Sequence, residues 1–152
     1  MYDGVGPELT TDPVRAVVQG MTLVARRWRA RLNERLKAID QTDARFAALA
    51  EISAEPNGLV QRELSRRLGV EEPTVVRLVD ALEAQGWVER LVHGDDRRAR
   101  IVRATPAAAP ALDGARIIVA GMRCELFADM DPLDLLACVR VIDELSRKLD
   151  LS

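Results

Sequence analysis

Arginine is the residue type whose chemistry stands out in this 152-residue chain. Of the 22 basic side chains 20 are arginines, and the only lysines are Lys37 and Lys148. A guanidinium can donate two parallel hydrogen bonds to a guanine edge or a phosphate, and it is attracted to narrow minor grooves. The net charge is −2, but seven basic residues and one acid lie between residues 14 and 37, and four arginines without an acid lie between 97 and 103. This clustering indicates that one face of the protein binds a polyanion.

The sequence offers little for catalysis or metal binding. His93 is the single histidine, and it lies far along the chain from Cys124 and Cys138. One histidine and two distant cysteines do not make a metal-ligand set, and neither a nucleophile–base pair nor a glycine-rich phosphate loop is present. We therefore predict that the chain is not an enzyme and holds no metal or cofactor. Both cysteines are expected to be buried as small apolar residues.

The residues best suited to contact bases lie on a helix predicted to run from Pro73 to about Gln85. Apolar residues recur on one face of this helix at i, i+3, i+4 and i+7, at Val75, Leu78, Val79 and Leu82. The predicted DNA contacts lie at its start: Pro73 and Arg77 are opposite that face, Thr74 and Val76 flank them, and Glu72 precedes the helix. Arg77 is predicted to bind guanine, Thr74 a base or a phosphate, and Val76 a thymine methyl. A solvated helix arginine is the alternative interpretation of Arg77.

A shorter helix, predicted for residues 61–68, precedes the helix that begins at Pro73. Gly69 stands where the chain must turn sharply, so residues of about 61–84 predict a helix-turn-helix. Apolar side chains expected to lock the two helices together are Leu64, Leu68, Val70, Val75 and Leu78. Gln61, the first residue of the shorter helix, is added to the predicted DNA contacts.

A β-hairpin is predicted directly after the helix-turn-helix. Residues 87–92 are strand-like, His93 to Asp96 form a turn, and Ile101–Val102 centre a second strand, which together predict a wing over about 87–104. The arginines predicted to enter a minor groove from it are Arg97, Arg98 and Arg100. A charged, solvated turn is the alternative.

The remaining segments read as helices that flank this unit. One is predicted from about 13 to 38, a second begins after Thr42, a fifth is irregular at its beginning or starts near Pro110 and runs to about Phe127, and a last one follows Asp131–Pro132. The fold class is therefore mainly α, a winged helix-turn-helix with about six helices and a two-stranded wing. The last helix is apolar over a wider arc than so small a domain needs, which predicts two-fold pairing into a homodimer.

The N-terminal segment and the length of the apolar stretches bear on the cellular location of the chain. Residues 1–11 are expected to be flexible, and they lack the basic-then-apolar layout of a signal peptide. No apolar stretch approaches the ~18 residues of a membrane-spanning helix. The chain is therefore expected to be cytoplasmic, with no membrane partner.

Residues 64–105 resemble the MarR family of bacterial transcriptional regulators, and more closely its SlyA branch. The segment from Gly69 to Arg77 resembles the recognition helix of that branch, and Asp96–Arg97–Arg98–Ala99 resembles the family's wing signature, which is followed by the expected Thr105. Trp28–Arg29–Ala30, followed by Leu32, also resembles the SlyA branch. The likeness extends over residues 12–150, which would form one MarR-type domain, but the Pro106–Pro110 run departs from the family pattern.

The resemblance implies a homodimer in which the helices of about 13–38 and 106–149 pair across a two-fold axis. It implies that Arg77 contacts a base and that Arg98 enters the minor groove. It further implies regulation of transcription, in which a small phenolic or aromatic-acid effector binds between the dimer helices and the DNA-binding lobe. The candidate effector contacts are Trp28, Arg31 and Phe46, although a helical tryptophan such as Trp28 is more often a core residue and an arginine such as Arg31 more often a solvated one.

We thus predict a sequence-specific transcriptional regulator that binds double-stranded DNA at a pseudopalindromic operator. We expect it to act as a repressor. The alternative is a winged-helix module that binds another protein instead of specific DNA.

Overall fold

The computed structural model describes residues 12–92 and 100–150. The segment 1–11, predicted to be flexible, and the predicted wing turn both lie outside the described residues. Within those ranges the chain forms six α-helices, one 3-10 turn and a three-stranded antiparallel sheet. This is the mainly α winged-helix class that the sequence predicts. None of the described helices is both long enough and apolar enough to cross a membrane.

The first helix, α1, spans Pro13–Leu36 and continues as a 3-10 turn over Lys37–Ile39. Asp12 caps it, because its Oδ1 accepts hydrogen bonds from the amides of Val14 at 3.0 Å and Arg15 at 3.2 Å. Only the C-terminal part of α1 is anchored by buried side chains, namely Leu32 and Leu36. Toward its start it leaves apolar side chains exposed: Val14, Val17, Val18 and Val24.

The second helix, α2, spans Asp43–Ser53 and begins at the predicted cap, since the Thr42 hydroxyl accepts from the amide of Arg45 at 3.2 Å. A tight turn follows, in which the amide of Gly58 donates to the carbonyl of Glu55 at 2.9 Å with Pro56 between them. The chain then enters a two-residue strand, β1, at Leu59–Val60.

The helix-turn-helix and the sheet occupy the middle of the chain. Helix α3 spans Gln61–Leu68 and α4 spans Glu72–Ala84, while β2 covers Val88–Val92 and β3 covers Arg100–Ala104. The strand order is β1-β3-β2, so β3 is central. The predicted hairpin corresponds to β2 and β3. The pairing of β1 with β3 was not predicted, because two residues are too short to show the alternation of a strand.

One hydrophobic core joins these elements. Its buried side chains come from α2, α3, α4, the sheet and the start of the fifth helix, and include Leu49, Ile52, Leu64, Val75, Val79, Leu82, Val88, Val102, Ala108 and Leu112. Leu78, predicted to face inward with them, is partly buried and packs against the same cluster. The face that α4 gives to this core fixes which side of the helix faces away from it.

Helix α5 spans Ala108–Phe127 and α6 spans Pro132–Asp150. α5 begins two residues before Pro110, which therefore lies in the first turn, where a missing N–H breaks no intrahelical bond. The irregular beginning predicted for this helix is thus not required. The described residues divide into two compact units, one ending at Ile118 and the other beginning at Val119.

Two expectations about burial are wrong. Val70 is exposed, because the turn before α4 is held by backbone atoms rather than by this side chain. Cys124 and Cys138 are also exposed. Cys124 lies two positions beyond the buried Met122, which places it well around α5 from that side chain, and α6 carries no fully buried residue at all among those described.

Candidate nucleic-acid interface

The turn between α3 and α4 is held by backbone hydrogen bonds and one serine. α3 ends at Gly69, whose φ of +63° lies in the left-handed region that glycine adopts without steric cost. The amide of Val70 donates to the carbonyl of Ser65 at 3.2 Å, and the Ser65 hydroxyl donates to the carbonyl of Val70. These bonds close the end of α3 and fix where α4 starts.

Helix α4 presents one fully buried side. Val75, Val79 and Leu82 have no exposed surface. Glu71 precedes the helix in an extended conformation, and its carbonyl accepts from the amide of Thr74 at 2.9 Å. Pro73 lies in the first turn, where its missing N–H has no partner to lose. These core contacts decide which side of α4 is buried and which side is exposed.

The predicted base contacts lie in the first two turns of α4, with Pro73 and Arg77 on the side opposite Val75. All five of them are exposed, namely Glu72, Pro73, Thr74, Val76 and Arg77. The side chain of Arg77 forms no hydrogen bond or ion pair with the other residues of 12–92 and 100–150. Its guanidinium is therefore not occupied by a neighbouring carboxylate of α4, and all its donors can face a ligand.

Gln61 stands apart from this group because it is only half-exposed at the start of α3, with its Nε2 buried and without a hydrogen-bond partner among the described residues. Beside it, an open groove of about 480 Å³ separates the beginnings of α3 and α4. The groove is lined by Val60, Arg62, Glu63, Ser65, Arg66 and Glu72. Arg62 is an exposed cation that lines this groove, and it was not among the predicted DNA contacts. Its place in the first turn of α3, beside Gln61, was the signal that could have found it.

The wing arginines are only partly covered by the structure. Arg97 and Arg98 lie outside the described residues. Arg100 is the first residue of β3, where its backbone pairs with Val92. The structure therefore brings the α4 contacts together and fixes the strands that carry the wing, while the position of its arginines stays a prediction.

An ion-pair cluster joins α3 to α2 behind the groove. Arg67 donates to Glu55 at 2.8 Å and to Glu51 at 3.4 Å, both near or on α2, and to Glu63 on its own helix at 3.0 Å. Glu63 also accepts from Arg66 at 2.6 Å. The hydrogen bonds from Arg66 and Arg67 lower the pKa of Glu63 to about 2, so this carboxylate stays ionised through the physiological range.

Comparison with known proteins agrees with this architecture. The family model of the MarR family matches residues 40–99, which include all of α3 and α4. The crystal structure of transcriptional regulator PA3341 is 32% identical, covers 90% of this chain and 99% of its own, and superposes with a TM-score of 0.79. The chain belongs to the MarR family. Members of this family are transcriptional regulators, so the expectation that the chain is not an enzyme is confirmed.

Two further relatives show how the MarR fold is shared. MarR from E. coli in its apo form is 25% identical, covers 84% of this chain and 94% of its own, and has a TM-score of 0.71. A cysteine-to-serine mutant of the same E. coli protein, in complex with operator DNA, is 24% identical over 87% and 94% of the two chains, with a TM-score of 0.78. CouR from Rhodococcus jostii RHA1 bound to p-coumaroyl-CoA, at 21% identity over 81% and 88% and a TM-score of 0.71, shares the fold.

The predicted effector contacts of this MarR-family chain lie in two places. Trp28 is half-buried and Arg31 is exposed, and a separation of three residues puts them on the same side of α1. Phe46 packs against the core from α2. Among the described residues, no three histidine, cysteine, aspartate or glutamate side chains form a group that could hold a metal ion.

Proposed function

We propose that this MarR-family protein is a homodimeric repressor that binds a pseudopalindromic operator with α4 in the major groove. The observation that carries the proposal is the exposed N-terminal side of α4 opposite its fully buried side. The first residues of a recognition helix are those that reach base edges. Arg77 binds a guanine through two hydrogen bonds, Thr74 a base or phosphate, and Val76 a thymine methyl.

Residues around α4 supply the contacts that position the protein on the duplex. Gln61 and Arg62, in the first turn of α3, face the DNA backbone, because the first helix of such a motif crosses it. From the wing, Arg97, Arg98 and Arg100 reach toward the minor groove, whose negative potential attracts guanidinium groups. As support for this class of ligand, the cysteine-to-serine mutant of E. coli MarR has been crystallised with operator DNA.

Dimer formation is supported by apolar surface on the first and last helices. On α1, Val24 is 66% exposed, and on α6, Leu133 is 72% exposed. Further exposed apolar residues of α6 recur at helical spacing, at Leu136, Val139, Ile142 and Leu149. A self-complementary two-fold contact buries such a stripe on both copies at once. The two recognition helices would then lie about 34 Å apart, one turn of the duplex.

The proposal includes an effector site on α1 and α2. It would use the indole of Trp28 for stacking and the Arg31 guanidinium for a carboxylate, with Phe46 as an apolar wall. CouR is an example of this fold with a bound aromatic thioester. Binding of a phenolic or aromatic acid would be expected to release the operator.

The decisive experiment is selection of bound duplexes from a random DNA pool by the purified full-length protein. We expect an enriched sequence with two inverted half-sites one helical turn apart. Its affinity should fall steeply with ionic strength, because each phosphate contact releases a counterion. Repeating the binding in the presence of simple aromatic acids such as salicylate tests the effector.

Two results would contradict the proposal. If the pool yields no preferred sequence, the protein is not an operator-binding regulator. If binding is weak and insensitive to salt, the chain is better described as a winged-helix module that binds another protein.

A further inference from the structure

Arg90 connects the wing to the recognition helix. It lies on β2, and its guanidinium donates to two carboxylates of α4: Nη1 to Glu83 and Nη2 to Asp80. We propose that Arg90 is a positioning residue for DNA binding, which fixes the orientation of α4 relative to the wing strands. The inference rests on the proposed function and adds to it a residue that touches no DNA.

The direction of the Arg90 side chain follows from the alternation of the strand. Val88 and Arg90 lie on the same face of β2, and Val88 is buried. The cross-strand partner of Arg90 is Val102, which is fully buried as well. Arg90 therefore points to the side of the sheet that packs on α4, and only 21% of its side chain is exposed.

The two carboxylates are placed so that one planar group can hold both. Asp80 and Glu83 are three residues apart on α4, and thus present their carboxylates on the same side of the helix. A guanidinium is flat and rigid, so its two terminal nitrogens reach two acceptors only in a narrow range of orientations. Rotation or sliding of α4 against β2 would break one bond or the other.

The contact has features of positioning rather than of plain stabilisation. The partners remain well exposed, Asp80 at 60% and Glu83 at 41%, and ion pairs of this kind add little to stability. The Nε of Arg90 is buried and has no hydrogen-bond partner among the described residues, which costs free energy. A wing and a recognition helix must, however, meet two grooves of one duplex at the same time.

The chain offers a matched control in the neighbouring strand. Arg103 of β3 donates to Glu89 of β2 at 2.7 Å, and the two residues face each other across the strands. Both lie on the other face of the sheet from Arg90. Glu89 is next to Arg90 on β2, and Arg103 is next to Val102, the partner of Arg90, on β3. This ion pair of Arg103 thus lies within the sheet itself and does not reach α4.

The experiment uses the operator selected by the wild-type protein and a scrambled duplex of the same composition. The Kd of each variant is measured for both duplexes at one salt concentration, and the ratio of the two is the specificity. We expect Arg90→Met to lower this ratio by about 5- to 150-fold, the effect of roughly one mismatched base pair. Arg103 belongs to the arginine cluster of residues 97–103, so Arg103→Met should at most weaken binding to both duplexes alike, because attraction to phosphate does not depend on sequence, and it should leave the ratio unchanged.

Two further variants separate positioning from charge and from unfolding. Arg90→Met alone leaves the carboxylates of Asp80 and Glu83 unpaired, and these could repel DNA. The triple variant Arg90→Met, Asp80→Asn and Glu83→Gln removes these charges, and its specificity ratio should stay as low as that of Arg90→Met. Arg90→Lys keeps the charge but cannot bridge both carboxylates as a rigid fork, so it should retain the fold and still lose specificity. Thermal unfolding of each variant checks the fold.

The outcomes separate this inference from the proposed function. Wild-type protein without operator preference would refute both. If the wild type discriminates, three results overturn the inference alone: a normal ratio in the Arg90→Met or Arg90→Lys protein, recovery of the ratio in the triple variant, or an equal loss in Arg103→Met.

Discussion

Gly58 provides the sharpest test of the packing around the wing. It ends the turn after α2 with a φ of +87°, and a Cβ added there would lie 2.5 Å from Cγ2 of Ile101 and 3.0 Å from the carbonyl oxygen of Val102. Both atoms belong to the central strand β3. Gly58→Ala should therefore disturb the strand that carries the returning arm of the wing.

The expected magnitude has two parts. Forcing a residue with a Cβ into a left-handed conformation costs about 1 to 2 kcal/mol, and part of this is offset because alanine also restricts the unfolded chain. The steric part adds about 1 to 3 kcal/mol, as overpacking typically does. It cannot be avoided easily, since the Ile101 methyl is on a stiff β-branched side chain and the Val102 oxygen is backbone. With the backbone part reduced by this offset to about 1 kcal/mol, the sum for Gly58→Ala is about 2 to 4 kcal/mol.

Gly69→Ala is the matched control for the backbone part. Gly69 has a similar φ of +63°, but nothing lies within 4 Å of an added Cβ. It should cost about 1 kcal/mol, with the steric part absent. Both variants are compared with the wild type by urea unfolding at one protein concentration, because the proposed dimer would be stabilised by mass action.

The comparison of the two alanines decides the matter. If Gly58→Ala costs no more than Gly69→Ala, the close approach of the turn to β3 does not exist in solution. In that case the three-stranded sheet, and the support it gives to the wing, would have to be abandoned.

Three other predictions concern binding, pH and assembly. Arg77→Ala should weaken operator binding by roughly 1 to 3 kcal/mol and relax the preference at one base pair, as measured by titration against single-substituted operators. Because the pKa of Glu63 is lowered to about 2, its pairing stabilises the fold fully above its unfolded pKa near 4.5 and is lost as the pH falls through 2; the stability deficit of Glu63→Gln at pH 7 should therefore shrink at pH 2, and an unchanged deficit would refute the pairing. Val139→Glu should shift the protein from dimer to monomer in sedimentation at micromolar concentration, since it places a charge in the proposed apolar contact; an intact dimer would exclude this face of α6.

Local signals in the sequence were enough to place the helices. Thr42 acts as the cap that the sequence indicated, the first helix begins at residue 13 as predicted, and Gly69 ends α3 as expected. The apolar spacing of α4 also predicted which side would be buried, and so which side would carry Thr74 and Arg77. Such features depend on residues at most a few positions apart, which is why one sequence reveals them.

Features that depend on distant residues were missed. β1 is too short to be seen until its partner Val102 is known, and the two acceptors of Arg90 lie on another element. The exposure of Cys124 and Cys138 was missed for a related reason. The sequence of an apolar helix does not show which of its faces is covered by other helices of the same chain. Sequence composition predicts that a residue can be buried, but only the arrangement of the helices decides it.

The central position of β3 has a consequence for how the protein assembles. Leu59 pairs with Val102, about forty residues later, and both helices of the DNA-binding unit lie in the chain between them. This contact closes a long loop, so it can form only after the ribosome has released β3, whereas α3 and α4 can form earlier. A nascent chain that stops before Val102 would contain α3 and α4 but could not pair β1 with β3. It should therefore be sensitive to proteases until synthesis has passed that point.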